Sequence, residues 1–295
     1  MLLNASGCLD ALAASDVARS LDAFVTKTVT PEPRGGNEPV RIAETDHGML
    51  NSIGLQNPGR DRFLDEVLPR LSELEIPLWV SVGGFAAHEY AETCAELHDV
   101  TIELNLSCPN VDEAPESAAE IVAACRDATP LPLYAKLSPA LPDIAEAARA
   151  VQAAGADGLS LINTIRGLEL DERTLRPRLA RAVGGYSGPA LKPIALAAVY
   201  ACYRATGLPI VGMGGVWTGQ DAFELVAAGA SSVALGTVLF TDPGAAVRVR
   251  RELREAAASL GFDDAFEARG LAHSAEPAIL PSELTTAKNP AIHAN

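Results

Sequence analysis

The sequence predicts an α/β protein, a single (β/α)8 TIM barrel with insertions after strand 2 and strand 6. Three observations carry this. Short apolar segments and helix-spaced segments alternate eight times, counting from Leu2-Leu3-Asn4. The apolar segments are nearly continuous, as parallel strands covered on both faces are. Polar residues and glycines gather where those segments end, and in such a barrel the C-terminal strand ends hold the chemistry. A doubly wound parallel sheet is the other architecture with this alternation.

Each unit has its own signals. Strand 1 runs into the small-residue turn Ala5-Ser6-Gly7, and residues 11–21 are helix-spaced. Strand 2 covers 23–28 and ends on Lys27-Thr28. Residues 30–58 are rich in Pro and Gly and too long for a plain connection, which marks a functional excursion. Residues 60–75 place Phe63, Leu64, Val67, Leu68, Leu71 and Leu74 on one side of a helix. Strand 3 (77–82) closes on Gly83-Gly84, and a helix follows at 87–97. Strand 4 (100–104) opens into Asn105-Leu106-Ser107-Cys108-Pro109-Asn110, where Pro109, with no N–H and a fixed φ, stops it. A helix at 116–128, strand 5 at 132–137 and a helix at 141–154 follow, the last ended by Gly155. Strand 6 (158–164) leads to a second excursion, 166–190. A helix at 191–206, strand 7 with its glycine turn at 209–215, a helix at 218–228 capped by Thr218, strand 8 at 232–237 and a helix at 244–260 complete the series. The barrel is expected to occupy 1–262, and 263–295 to form a tail of unknown role.

Composition narrows the function. The chain has 295 residues, 48% of them hydrophobic, enough for a large core. A net charge of −15 argues against phosphate-backbone binding, so no nucleic acid is expected. No apolar run is long enough to span a bilayer and no signal peptide is visible, so a cytoplasmic, membrane-free protein is expected. Cys8, Cys94, Cys108, Cys125 and Cys202 are scattered without a C-x-x-C pair, which predicts reduced thiols and no metal site. Of 23 basic residues only Lys27, Lys136, Lys192 and Lys288 are lysines. Where an arginine-rich chain keeps a compact ammonium, a site is worth considering.

The strand ends bring candidates together. Gly214-Gly215 and Gly236-Thr237 each feed a helix, an arrangement that binds phosphate, although glycines also simply make tight turns. Asn51, Asn105, Asn110 and Asn163 offer both donors and acceptors, which suits a planar ring with alternating N–H and C=O edges, such as a pyrimidine; asparagine is also common in surface turns. No histidine sits at a strand end, and His47, His88, His98, His273 and His293 are expected to be solvated. Cys108 is then the leading acid/base group, or else a packed core thiol.

These motifs are those of a known family. Asn105-Leu-Ser-Cys-Pro-Asn110, Asn51-Ser-Ile-Gly-Leu-Gln-Asn57-Pro-Gly59, Gly184-Gly-Tyr-Ser-Gly-Pro-Ala-Leu-Lys-Pro193 and Gly212-Met-Gly-Gly-Val216 resemble dihydroorotate dehydrogenase over about residues 4–262. The resemblance implies an FMN-carrying barrel that oxidises dihydroorotate to orotate in pyrimidine synthesis. It places Ala5, Ser6, Gly7, Lys27, Thr28, Asn105, Lys136 and Ile162 along the flavin, and Gly188, Gly214, Gly215, Gly236 and Thr237 around it and its phosphate. It gives Lys27, Asn51, Ile53, Gly54, Leu55, Asn105, Asn110, Asn163 and Thr164 to the substrate. Cys108 would take the C5 proton while hydride leaves C6 for flavin N5. A cysteine base resembles the soluble class 1. Arg166-Gly-Leu-Glu-Leu-Asp171 through the Ser-Gly-Pro turn resembles its NAD-linked 1B catalytic subunit, which implies a homodimer and an FAD/iron–sulfur partner subunit. Three features depart from the family: the segment that usually precedes Ala5 and closes the barrel bottom is missing, residues 111–116 are shorter than the family's glycine-rich loop, and the tail beyond residue 262 has no counterpart in it. Lys192 receives no role. Other pyrimidine-directed flavoenzymes on this barrel, or a flavin-binding scaffold subunit, are the competing readings.

Overall fold

The computed structural model describes residues 1–106 and 117–274. In chain order its strands are β1 (Leu2–Asn4), β2 (Phe24–Val25), β3 (Ile42–Thr45), β4 (Gly48–Asn51), β5 (Leu78–Val82), β6 (Thr101–Asn105), β7 (Leu133–Leu137), β8 (Gly158–Leu161), β9 (Ile165–Leu168), β10 (Val183–Ser187), β11 (Ile210–Met213) and β12 (Ser232–Leu235). Eight of them form one parallel sheet in the order β1-β12-β11-β8-β7-β6-β5-β2. A parallel bridge between Leu3 and Ala23 brings β2 back to β1, so the sheet nearly closes on itself and the doubly wound alternative is excluded.

The seam between β1 and β2 is short, and side chains complete it. Asn4 is fully buried; its Nδ2 donates to the Val25 carbonyl at 2.8 Å and its Oδ1 accepts from the Val25 N–H at 2.9 Å. The amide thus stands in for ladder bonds the two strands do not make.

Period two explains both faces of the barrel. Ile102 and Leu104, Leu133, Ala135 and Leu137, and Leu159 and Leu161 join the main apolar core that the helices cover. The residues between them point inward. Trp79, Val211, Met213 and Ala234 form a second, interior apolar cluster, and Ser81, Glu103, Lys136 and Ser160 are buried polar groups on the same alternation. The barrel therefore has an apolar plug below and a polar layer above it.

Two segments outside the barrel pair with each other. β3 and β4, between β2 and β5, join β9 and β10, between β8 and β11, in an antiparallel sheet ordered β3-β4-β10-β9. Other elements differ in detail from expectation. The first helix is only Ser15–Arg19. The 60–75 helix contains a π turn, Phe63–Val67, just before Pro69, which has no N–H for the carbonyl four residues back. A short helix, Val238–Thr241, precedes the closing helix Ala245–Ser259.

The start of the expected tail docks on the barrel. Ala265 and Ala268 are buried, and the Gly270 N–H donates to the Val226 carbonyl. His273 is not solvated as expected: its ring stacks on Tyr200 at 3.9 Å and its Nε2 lies 2.9 Å from the Ala228 oxygen. The aromatic platform beneath it outweighs hydration of the imidazole. Among the described residues no group of three metal-ligating side chains occurs, and no helix is long and apolar enough to cross a membrane.

Candidate active site

A cavity of about 380 Å³ lies at the C-terminal ends of the barrel strands, between the polar layer and the antiparallel sheet. Each strand delivers its end residues there. Beyond β1 the Ala5 N–H donates to the Leu235 carbonyl at 2.7 Å, which holds Ala5, Ser6 and Gly7 on the wall. Gly7 is left-handed, and a Cβ there would stand 3.3 Å from Lys27 Nζ. Past β2, Lys27 reaches the cavity from an exposed position while Thr28 is buried.

β6, β7 and β8 build the floor. Asn105 Nδ2 donates to Thr28 Oγ1 at 3.1 Å, and its Oδ1 accepts from Asn163 Nδ2 at 3.1 Å. Asn163 Oδ1 in turn accepts from the Thr164 N–H at 2.8 Å. This chain of amides crosses from strand 2 to strand 6 of the barrel and fixes which edge of each asparagine is committed to its neighbour. Beside it Lys136, only 5% exposed, donates to Ser6 Oγ at 2.9 Å and pairs with Glu103 at 3.2 Å.

The far wall comes from the excursions and the last two strands. Asn51 Nδ2 donates to the Gly185 carbonyl at 3.2 Å, and Thr237 Oγ1 to Ser187 Oγ at 2.8 Å. Gly188 has φ +127°, and a Cβ there would stand 2.5 Å from Gly48 Cα, so the sheet can pass this close only over glycine. Gly214, Gly215 and Gly236 turn their backbone to the cavity. Leu55, at φ +56°, is held by Asn57, whose buried amide donates to the Leu55 carbonyl at 2.7 Å and to Thr30 Oγ1 at 2.8 Å.

The predicted residues mostly converge. Ala5, Ser6, Gly7, Lys27, Thr28, Asn51, Ile53, Leu55, Asn105, Lys136, Ile162, Asn163, Thr164, Gly188, Gly214, Gly215, Gly236 and Thr237 all line the cavity. Gly54 does not; a Cβ at its left-handed position would run into Asn37, so it serves the turn. Cys108 and Asn110 lie outside the described residues. Lys192 turns away from the cavity: its Nζ donates to Asp221 at 2.8 Å and pairs with Glu224 at 3.0 Å.

Sequence reasoning missed several contributors. Cys8, Met49, Ser187, Trp217 and Phe240 also line the cavity. Cys8 follows Gly7 directly and was visible as a second thiol at a strand end. Burial pushes its thiol pKa up, against the pull of the Lys136 and Lys27 ammonium groups. Glu103 was read as part of an apolar run, yet a lone acid there, two residues before Asn105, was itself the signal.

The donor set suits a phosphate-bearing planar heterocycle, with glycine turns at one end and two ammonium groups and linked amides at the other. Comparison with known proteins points the same way. The family model for dihydroorotate dehydrogenase matches residues 1–256. The catalytic subunit of dihydroorotate dehydrogenase B (NAD(+)) from Geobacillus sp. is 43% identical over 261 residues, covering 85% of this chain and 83% of that protein. Its counterpart from Desulforudis audaxviator is 44% identical over 264 residues, covering 86% of each. A crystal structure of DHODH from Eimeria tenella in complex with ferulenol superposes with a TM-score of 0.76 at 25% identity, over 92% of this chain and 85% of that one. With its eight-stranded barrel, its strand-end cavity and these relatives, the chain belongs to the dihydroorotate dehydrogenase family.

Proposed function

We propose that this chain is the catalytic subunit of an NAD-linked enzyme that oxidises (S)-dihydroorotate to orotate with FMN. The observation that carries the reading is the convergence of lysines, glycine turns and linked amides from separate strand ends on one cavity. Gly188, Gly214, Gly215, Gly236 and Thr237 would hold the phosphate end of FMN. Ala5, Ser6, Gly7, Lys27, Thr28, Asn105, Lys136 and Ile162 would lie along its ring system. When bound, FMN would supply the acceptor for the hydride that leaves substrate C6.

The protein's own residues do the rest. Asn51, Asn105, Asn110 and Asn163, with Thr164, Lys27 and the backbone of Ile53 and Leu55, orient the dihydropyrimidine ring by donor–acceptor matching. Lys136, buried and fixed by two partners, supplies a fixed positive charge at the cavity floor. Cys108 is the base that removes the C5 proton; in the sequence it follows Asn105 by three residues. The relatives' designation as catalytic subunits favours a separate electron-transfer subunit, for which an FAD/iron–sulfur protein is the fitting class. A homodimer of this chain is part of the same proposal.

The purified chain should bind FMN and turn yellow. Cys108→Ser should retain the colour but slow its bleaching by dihydroorotate at neutral pH by roughly 10²-fold or more, the usual scale for a general base. A colourless wild-type protein that takes up no FMN overturns the cofactor reading, and unchanged bleaching in Cys108→Ser removes that residue from the mechanism.

A further inference from the structure

Glu103 is an acid where the fold has no need of one. It sits between Ile102 and Leu104 on β6, points into the barrel and is 1% exposed. Among the described residues its one ion-pair partner is Lys136, at 3.2 Å. A buried pair of this kind is often no more stabilising than apolar residues of the same volume, because both charges must leave water. Its presence therefore asks for a reason other than stability.

The geometry supplies one. The Lys136 ammonium is held from two sides, by Glu103 and by Ser6 Oγ, and both Ser6 and Lys136 line the cavity. The charge of Glu103 also reaches the wall: after burial, and against the two lysines, it is a further influence raising the Cys8 thiol pKa. A ligand on this floor meets an ammonium that is aimed and partly offset by a carboxylate behind it.

We propose that Glu103 is a positioning residue that sets the charge Lys136 presents to the cavity, so that bound FMN faces a compensated pair instead of a bare cation. This rests on the FMN reading above. A compensated pair stabilises negative charge on the flavin less than a free ammonium does. Removing the carboxylate should therefore make the flavin easier to reduce and more receptive to anions.

The test uses the FMN-loaded chain, its two-electron reduction potential, and its affinity for sulfite, whose addition places negative charge on the flavin ring. Glu103→Gln should lower the sulfite dissociation constant about tenfold and raise the potential by about 30 mV, the same factor for a two-electron couple. Lys136→Gln should move both the other way. The double variant E103Q/K136Q, which leaves no buried charge unpaired and so carries the test even if a single variant folds poorly, should return to within about threefold of wild type. An E103Q protein that binds FMN with unchanged sulfite affinity and potential overturns the proposal. So does a double variant that tracks K136Q. A wild-type chain that binds no FMN overturns the cofactor reading itself, and the outcomes are thereby distinct.

Discussion

The floor of the cavity and its far wall are made in different ways. The floor residues Asn105 and Lys136 lie at the ends of β6 and β7 and pair with each other in parallel register, and Asn163 lies two residues beyond β8. The wall is an antiparallel sheet whose contacts run between distant parts of the chain: Asn51 bonds to Gly185, 134 residues away. Its strands also carry exposed apolar residues, Ile42 and Leu168 among them. The floor is thus fixed by the barrel core, whereas the wall is fixed by close backbone approach at glycine. Damage to the first should unfold the molecule, and damage to the second should chiefly cost ligand.

The largest effect is expected at the barrel seam. Asn4→Ala would strand the Val25 N–H and carbonyl that the amide satisfies, at on the order of 1–3 kcal/mol for each group. Urea denaturation should show a lower midpoint with one cooperative transition; a loss confined to ligand affinity would mean that the seam is not part of the barrel's stability. A smaller effect on stability is expected in the wall. A Cβ on Gly48 would stand 2.2 Å from the Ser187 oxygen, so Gly48→Ala must push β4 off β10. Overpacking of this sort costs about 1–3 kcal/mol. Here the Michaelis constant for dihydroorotate should rise through displaced Asn51 while FMN stays bound. Weaker FMN binding, with the Michaelis constant of the FMN-loaded enzyme unchanged, would place the damage at Gly188 and not at Asn51.

What was legible in the sequence follows the same division. The barrel strands and the residues at their ends could be read because apolar runs, glycines and rare lysines are local signals. β3 and β4 could not, since Ile42-Ala43-Glu44-Thr45 has no continuous apolar run; it pairs directly with β4, but the hairpin's further partner, β10, is distant in sequence. The sequence of residues 30–58 marks an excursion but does not show its strands. Glu103 was missed because the run was read as buried on both faces, where period two would have turned it inward. Cys108 and Asn110 were legible as motif and lie outside the described residues.

The smallest effect concerns the glycine turn after β11. Asp221 accepts from the Trp217 and Thr218 N–H groups and from Lys192, tying the Gly214–Trp217 loop to two helices. Burial works against its ionised form, but the Lys192 and Thr218 hydrogen bonds prevail and hold its pKa below the ordinary 3.8. A depressed pKa contributes stability that is whole above the unfolded value and lost as pH falls through the folded one. The stability difference between wild type and Asp221→Asn should therefore be constant from neutral pH down to about 4 and shrink below it. A difference that instead changes between pH 6 and 8 would show that another group is responsible.

Whether this cavity oxidises dihydroorotate can be read from an anaerobic titration. The FMN-loaded chain is mixed with dihydroorotate, and separately with dihydrouracil, and its visible absorbance is followed. Dihydroorotate should bleach the flavin stoichiometrically, and the same concentration of dihydrouracil, which lacks the carboxylate, should not. Bleaching by dihydrouracil alone, or by neither, would contradict that assignment.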